Sequence, residues 1–176
     1  RGAARFSDDQ AHERLIVDRG MTLTGRRVSQ LATNRFADFE ALRSIDAWSK
    51  SLGRSDIQKV IIYRSTTPDG AVPADCLAVE PTGSTAGVNG LCNVYSASQV
   101  QTQSVVGFPG TTNCSTGWDA NWCPVNRNRG TNLVLPDFIG VYVEVDYQGL
   151  TGLVETNLEI KRNVVFAIEP EAVGTG

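Results

Sequence analysis

Histidine is nearly missing from this chain. His12 is its only copy, and it lies beside Glu13 in a polar stretch. A Ser-His-Asp arrangement would have to run through that stretch, so His12 reads as a solvated side chain. Cys-x-x-Cys pairs are also lacking and His12 is far in sequence from every thiol, which argues against a zinc site. The sequence offers neither a Gly-rich phosphate loop nor a nucleophile paired with a base, and no cofactor is expected. Long apolar runs are missing as well. The longest, Phe138 to Val143 and Val164 to Ile168, are strand-sized, well short of the roughly 18 residues of a membrane helix. A basic excess is absent too: 16 Lys and Arg stand against 19 Asp and Glu, for a formal charge of −3, so nucleic acid is not an expected partner. Position 1 is Arg rather than Met and no charged-then-apolar signal follows. We therefore expect a chain processed, trimmed or cloned from something longer, which leaves room for a removed export signal or anchor.

What is present is ordinary globular material: 176 residues, 41% hydrophobic and 20% charged, suited to one domain able to bury roughly 70% of its unfolded surface. Cys76, Cys92, Cys114 and Cys123 all fall in the loop-rich central third, and an even count clustered in irregular sequence points to disulfides in an oxidising, extracytoplasmic compartment. Among the possible pairings we favour the nearest-neighbour one, Cys76 with Cys92 and Cys114 with Cys123. Each bridge would add about 3 kcal/mol by restricting the unfolded chain.

Residues 1–25 form a polar segment, a short helix or a stalk, and 26–176 one α+β domain. From Val28 to Leu52 the apolar residues Val28, Leu31, Phe36, Phe39, Leu42, Ile45, Trp48 and Leu52 recur at helical spacing. Gly53 is the expected stop. Ile57 to Arg64 reads as a strand, followed by the turn sequence Pro68-Asp69-Gly70. From there to about Leu135 the chain is rich in Gly, Pro, Ser, Thr and Asn, a long loop with little helix or strand of its own that the cysteines would pin. Val141, Val143, Val145 and Tyr147 alternate with Tyr142, Glu144 and Asp146, and Val164, Phe166 and Ile168 alternate again before Pro170. The expected fold is therefore a long N-terminal amphipathic helix across a small antiparallel sheet whose outer face is wet.

Candidate chemistry is thin. Asp38 and Glu40 flank Phe39, and Glu144 and Asp146 share a strand face, which is the raw material for acid–base work on a glycoside. Both pairs read instead as the solvated sides of amphipathic elements. Arg127 and Arg129, interleaved with Asn126 and Asn128, suggest an anion-binding patch or, as we favour, hydrogen bonding to loop carbonyls. Trp122, next to Cys123, reads as packing against a disulfide, while nearby Trp118 keeps open a carbohydrate-binding or adhesin module contacting its ligand through Trp118, Trp122, Arg127 and Arg129. Asn113-Cys114-Ser115 matches the glycosylation acceptor pattern.

One order of short motifs stands out: Asp38-Phe39-Glu40-Ala41-Leu42-Arg43, Val60-Ile61-Ile62-Tyr63-Arg64, Cys76, and Cys92-Asn93-Val94-Tyr95. It continues with Trp122-Cys123-Pro124 and an Arg shortly after, Asp137-Phe138-Ile139-Gly140-Val141-Tyr142-Val143, Leu150-Thr151-Gly152-Leu153, and Ile168-Glu169-Pro170. The series, over roughly residues 35 to 170, resembles the soluble region of TadE-like proteins, the pseudopilins of tight-adherence pili. The resemblance implies a pilin-like fold, a non-enzymatic structural role in assembling or capping a surface fibre, other pilus subunits as partners, and membrane attachment only through a missing N-terminal helix. The family's functional residues, a cleavage-site Gly and a nearby Glu at the start of that helix, match no position here. The Cys114 and Cys123 pair lies outside the family's general pattern and reads as a lineage-specific staple.

Overall fold

The structure, a computed structural model, describes residues 36–51, 55–102, 104–108, 114–128, 136–148 and 157–167. Helix α1 runs Ala37–Ser51. Asp38 and Glu40 in its first turn and Lys50 in its last suit the helix dipole, and Lys50 reaches back one turn to Asp46 at 2.6 Å. The expected stretch from Val28 to residue 35, Leu52 and the stop at Gly53 lie outside the described residues.

Strands β1 (Ser55–Ser65), β2 (Gly87–Val88), β3 (Cys92–Ser96), β4 (Phe138–Gln148) and β5 (Asn157–Ala167) form one sheet in the order β2-β3-β1-β4-β5, and every pairing is antiparallel. The molecule is thus α+β. Strand β1 is central because its run Val60-Ile61-Ile62-Tyr63 is apolar on both faces, and all four side chains are fully buried. Val60 and Ile62 join Phe39, Leu42 and Ile45 of α1, together with Ile139, Val141, Val143 and Val145 of β4, in the main core. Ile57 belongs to the same core although its sequence parity is that of Ile61. A bulge makes the difference: Ile57 pairs with Val145 and Lys59 with Glu144, so Gln58 is passed over and the alternation flips.

The far face of the sheet departs from the expectation that it would be wet. Ile61, Tyr63, Val94 and Tyr142 meet Cys76, Ala86 and Cys92 in a second core, with Val72, Val79, Val88 and Leu91 packed against it. The supposed loop supplies this cover. It contains the helical turn Ala74–Leu77, β2, β3 and a second helical turn, Ala97–Val100, and the Cys76–Cys92 disulfide fastens it to the sheet. Lys59, which alternation from Ile61 and Tyr63 puts on this side, is nearly buried and donates to the Leu77 carbonyl at 3.1 Å. Tyr63 donates to the Gly70 carbonyl at 2.9 Å. Gly140 lies directly across from Tyr63, and a Cβ there would fall 2.0 Å from the ring. Only glycine lets the aromatic side chain lie flat over its neighbour strand.

Candidate functional site

On the α1 side, three distant parts of the chain meet around one carboxylate. Asp38 stands in the first turn of α1, where its side chain is turned inward rather than out. Arg127 follows the 3-10 turn Pro124–Asn126 and places Nη2 at 2.7 Å and 2.8 Å from the two Asp38 oxygens. From β3, Tyr95 Oη donates to Asp38 Oδ2 at 2.7 Å and Asn93 Nδ2 at 2.9 Å. Asn93 also clasps the Trp122 backbone, donating to its carbonyl at 3.0 Å and accepting from its N–H at 2.9 Å. Arg127 reaches the same carbonyl at 3.2 Å and lies 4.2 Å from the centre of the Trp122 ring, within cation–π range.

This corrects the reading of Asp38 as a solvated carboxylate: the Asp38 and Arg127 side chains are both 0% exposed. The physical reason is mutual neutralisation, since a buried charge survives only with an opposite charge and enough donors. Arg127 does meet a loop carbonyl, as expected, but Asp38 is its main partner. Nε and Nη1 of Arg127 and Oδ1 of Asp119 have no hydrogen-bond partner among the described residues.

Asp119 is the group the sequence did not single out. It is buried, and burial, reinforced by the charge on Asp38, pushes its carboxyl up to about 7, against its own backbone hydrogen bond and the pull of Arg127. Burial likewise raises the Tyr95 hydroxyl well above the usual range, and the carboxylates of Asp38 and Asp119 add to this. Tyr95 therefore serves as a donor at every ordinary pH. Asn93 and Tyr95 were visible only as part of the motif after Cys92, and nothing in the sequence marked Asp119.

The remaining expected positions scatter. Trp122 is buried in the main core. Trp118 is half-buried and sits edge-on to Phe108, with centroids 5.3 Å apart, over Gly107, where a Cβ would fall 2.3 Å from the indole. Phe108 in turn packs on Phe39 and Tyr95. Glu40 is half-buried on α1 while Asp38 points inward, so the two do not act as a pair. Glu144 accepts from Tyr142 at 3.1 Å and lies 3.8 Å from Lys161. Arg129, His12 and Asn113 lie outside the described residues. The structure joins Cys76 to Cys92 and Cys114 to Cys123; the latter bridge closes the loop that carries Trp118, Asp119 and Trp122.

Among the described residues, no group of three or more His, Cys, Asp and Glu side chains is placed to hold a metal ion, and no helix is long and apolar enough to cross a membrane. Comparison of the chain with family models, with curated proteins and with solved structures gives no match. Fold and site together define a class: an α+β domain with two disulfides, consistent with an oxidising, extracytoplasmic setting, in which a buried ion pair ties the helix to the central loop.

Proposed function

We propose that this chain is a non-enzymatic structural subunit of a cell-surface fibre, the soluble domain of a pseudopilin of the TadE-like kind. One observation carries the reading. Three of the motifs behind the resemblance, Asp38 at the start of α1, Cys92-Asn93-Val94-Tyr95 in β3, and Trp122-Cys123-Pro124 with Arg127, are far apart in sequence yet build one buried cluster. Their hydrogen bonds hold α1 to the sheet and to a disulfide-closed loop. That is the use expected of residues in a load-carrying subunit, where the helix must not peel from the domain. A helix that precedes an antiparallel sheet and packs on its face fits the same role.

The carbohydrate-binding alternative retains less. Trp122 and Arg127 are buried, which leaves Trp118 as the half-exposed member of that set among the described residues.

The test is made in the native cells. Surface fibres are sheared off, purified and probed with antibody against this domain, and the gene is deleted in parallel. The reading requires the chain in or at the end of the fibres and fewer fibres by electron microscopy after deletion. Normal fibres lacking the chain would overturn it.

A further inference from the structure

The two edges of the sheet are unequal. Strand β2 is a stub of two residues, whereas β5 is 11 residues long and pairs with β4 residue for residue from Asn157 to Ala167 without a bulge. It contains no Gly or Pro. Among the described residues nothing pairs with its outer side. A long regular edge of this kind is a template for another strand unless its side chains repel one.

The side chains of β5 carry both signs of charge in an order that matches itself. Glu159 and Lys161 share the face away from α1 and touch at 2.8 Å. Across the ladder, Lys161 stands opposite Glu144, but Glu159 stands opposite Asp146, so two carboxylates are direct neighbours. Like charges in that position disfavour the pairing, and in the isolated domain Lys161 is the cation within reach of both Glu144 and Glu159.

We propose that β5 pairs antiparallel with β5 of a second copy, about a two-fold axis at Ile160, to make one continuous ten-stranded sheet out of two five-stranded ones. In this register each Glu159 meets the Lys161 of the other copy. The row across the junction then reads Glu144, Lys161, Glu159, Asp146, and the same in reverse one step along, so the Lys161 of each copy lies between Glu144 of its own and Glu159 of the other. Ile160 meets its own counterpart on the α1 side. Neighbouring registers are worse: an axis at Lys161 sets Lys161 against itself, and an axis at Arg162 does the same with Arg162. A two-fold contact of this kind closes on itself and stops at two copies. It is a property of the folded domain and stands or falls independently of the fibre reading.

The experiment is sedimentation velocity of the whole chain at low salt over a wide concentration range, with circular dichroism to check that each variant is folded. The wild type should pass from monomer to dimer. K161E sets Glu against Glu twice per dimer and should weaken the dimer by about tenfold or more; the swap E159K/K161E should restore it. As a readout of register that needs no charge change, I160C should cross-link to its copy under mild oxidation. N163C should not, because its counterpart lies about 20 Å away along the strands. A wild type that stays monomeric throughout, a K161E dimer as tight as the wild type, a swap no tighter than K161E, or cross-linking at N163C in place of I160C would each overturn the proposal.

Discussion

At the scale of the residue, Asp38, Arg127 and Asp119 form an unequal trio. Two are matched and one is left over. Removing one partner of a buried pair strands the other charge, at about 3–5 kcal/mol. We expect Asp38→Ala to lower unfolding stability by that amount, and Asp38→Ala with Arg127→Met to recover part of it; urea titration of the wild type, the two single variants and the double variant checks this, and additive losses would show that the pair is not coupled. Asp119 acts through pH. Its folded carboxyl holds a proton up to about 7, while the unfolded one releases it near 3.8. The folded state thus binds the extra proton between those values, so the contribution of Asp119 is fully present below about pH 4 and lost as pH rises to about 7. Asp119→Asn cannot titrate and should flatten that part of the stability profile, making the variant gain on the wild type as pH goes from 5 to 8. A wild-type profile unchanged by the substitution would refute the assignment.

At the scale of the element, much of the fold was legible and the misses have causes. The 3.6-residue recurrence of Phe39, Leu42 and Ile45 gave α1, and the alternation of Val141, Val143 and Val145 gave the core face of β4. The unbroken apolar run of β1 was also a true signal: a strand apolar on both faces has cover on both, and the expectation of a wet outer face overlooked it. Strand β3 escaped notice because five residues with Asn93 among them, set in Gly- and Ser-rich sequence, carry no period long enough to read. Asp38 escaped for another reason. A carboxylate in a helix's first turn is ordinarily a solvated partner of the dipole, and only the fold brings Arg127 to it from 89 residues away.

Gly140 gives a test of how β1 and β4 fit. The ring of Tyr63 occupies the place of a Cβ, so Gly140→Ala must push the ring or the strand aside, at about 1–3 kcal/mol. Tyr63→Ala empties the same space and loses its own packing. If the two residues meet as described, the double variant should lose less than the sum of the single losses in thermal or chemical unfolding. Strict additivity would mean that the ring lies elsewhere.

At the scale of the whole molecule, the sheet is a shared wall between two cores, and each disulfide serves a different side of it. Cys76–Cys92 spans 16 residues and Cys114–Cys123 spans 9; loop closure alone makes them similar, at about 3 kcal/mol each. What differs is what else holds each segment. The layer from Val72 to Leu91 rests on apolar contacts with Ile61, Tyr63 and Val94, on the two-residue ladder of β2 with β3, and on hydrogen bonds such as Val94 N–H to the Ala86 carbonyl, Gln99 to the Ser84 carbonyl and Lys59 to the Leu77 carbonyl. The loop from Cys114 to Cys123 is held a second time, through Asn93 at the Trp122 backbone and through Arg127 at Asp38. Replacing Cys76 and Cys92 by Ala should therefore free amide hydrogens of residues 74–91 to exchange while the β1–β4 ladder stays protected. Replacing Cys114 and Cys123 should leave the Trp122 amide slow to exchange until Arg127 is also changed to Met. Fast exchange at Trp122 in the Cys114 and Cys123 variant alone would mean that the bridge, and not the ion pair, holds that loop against α1.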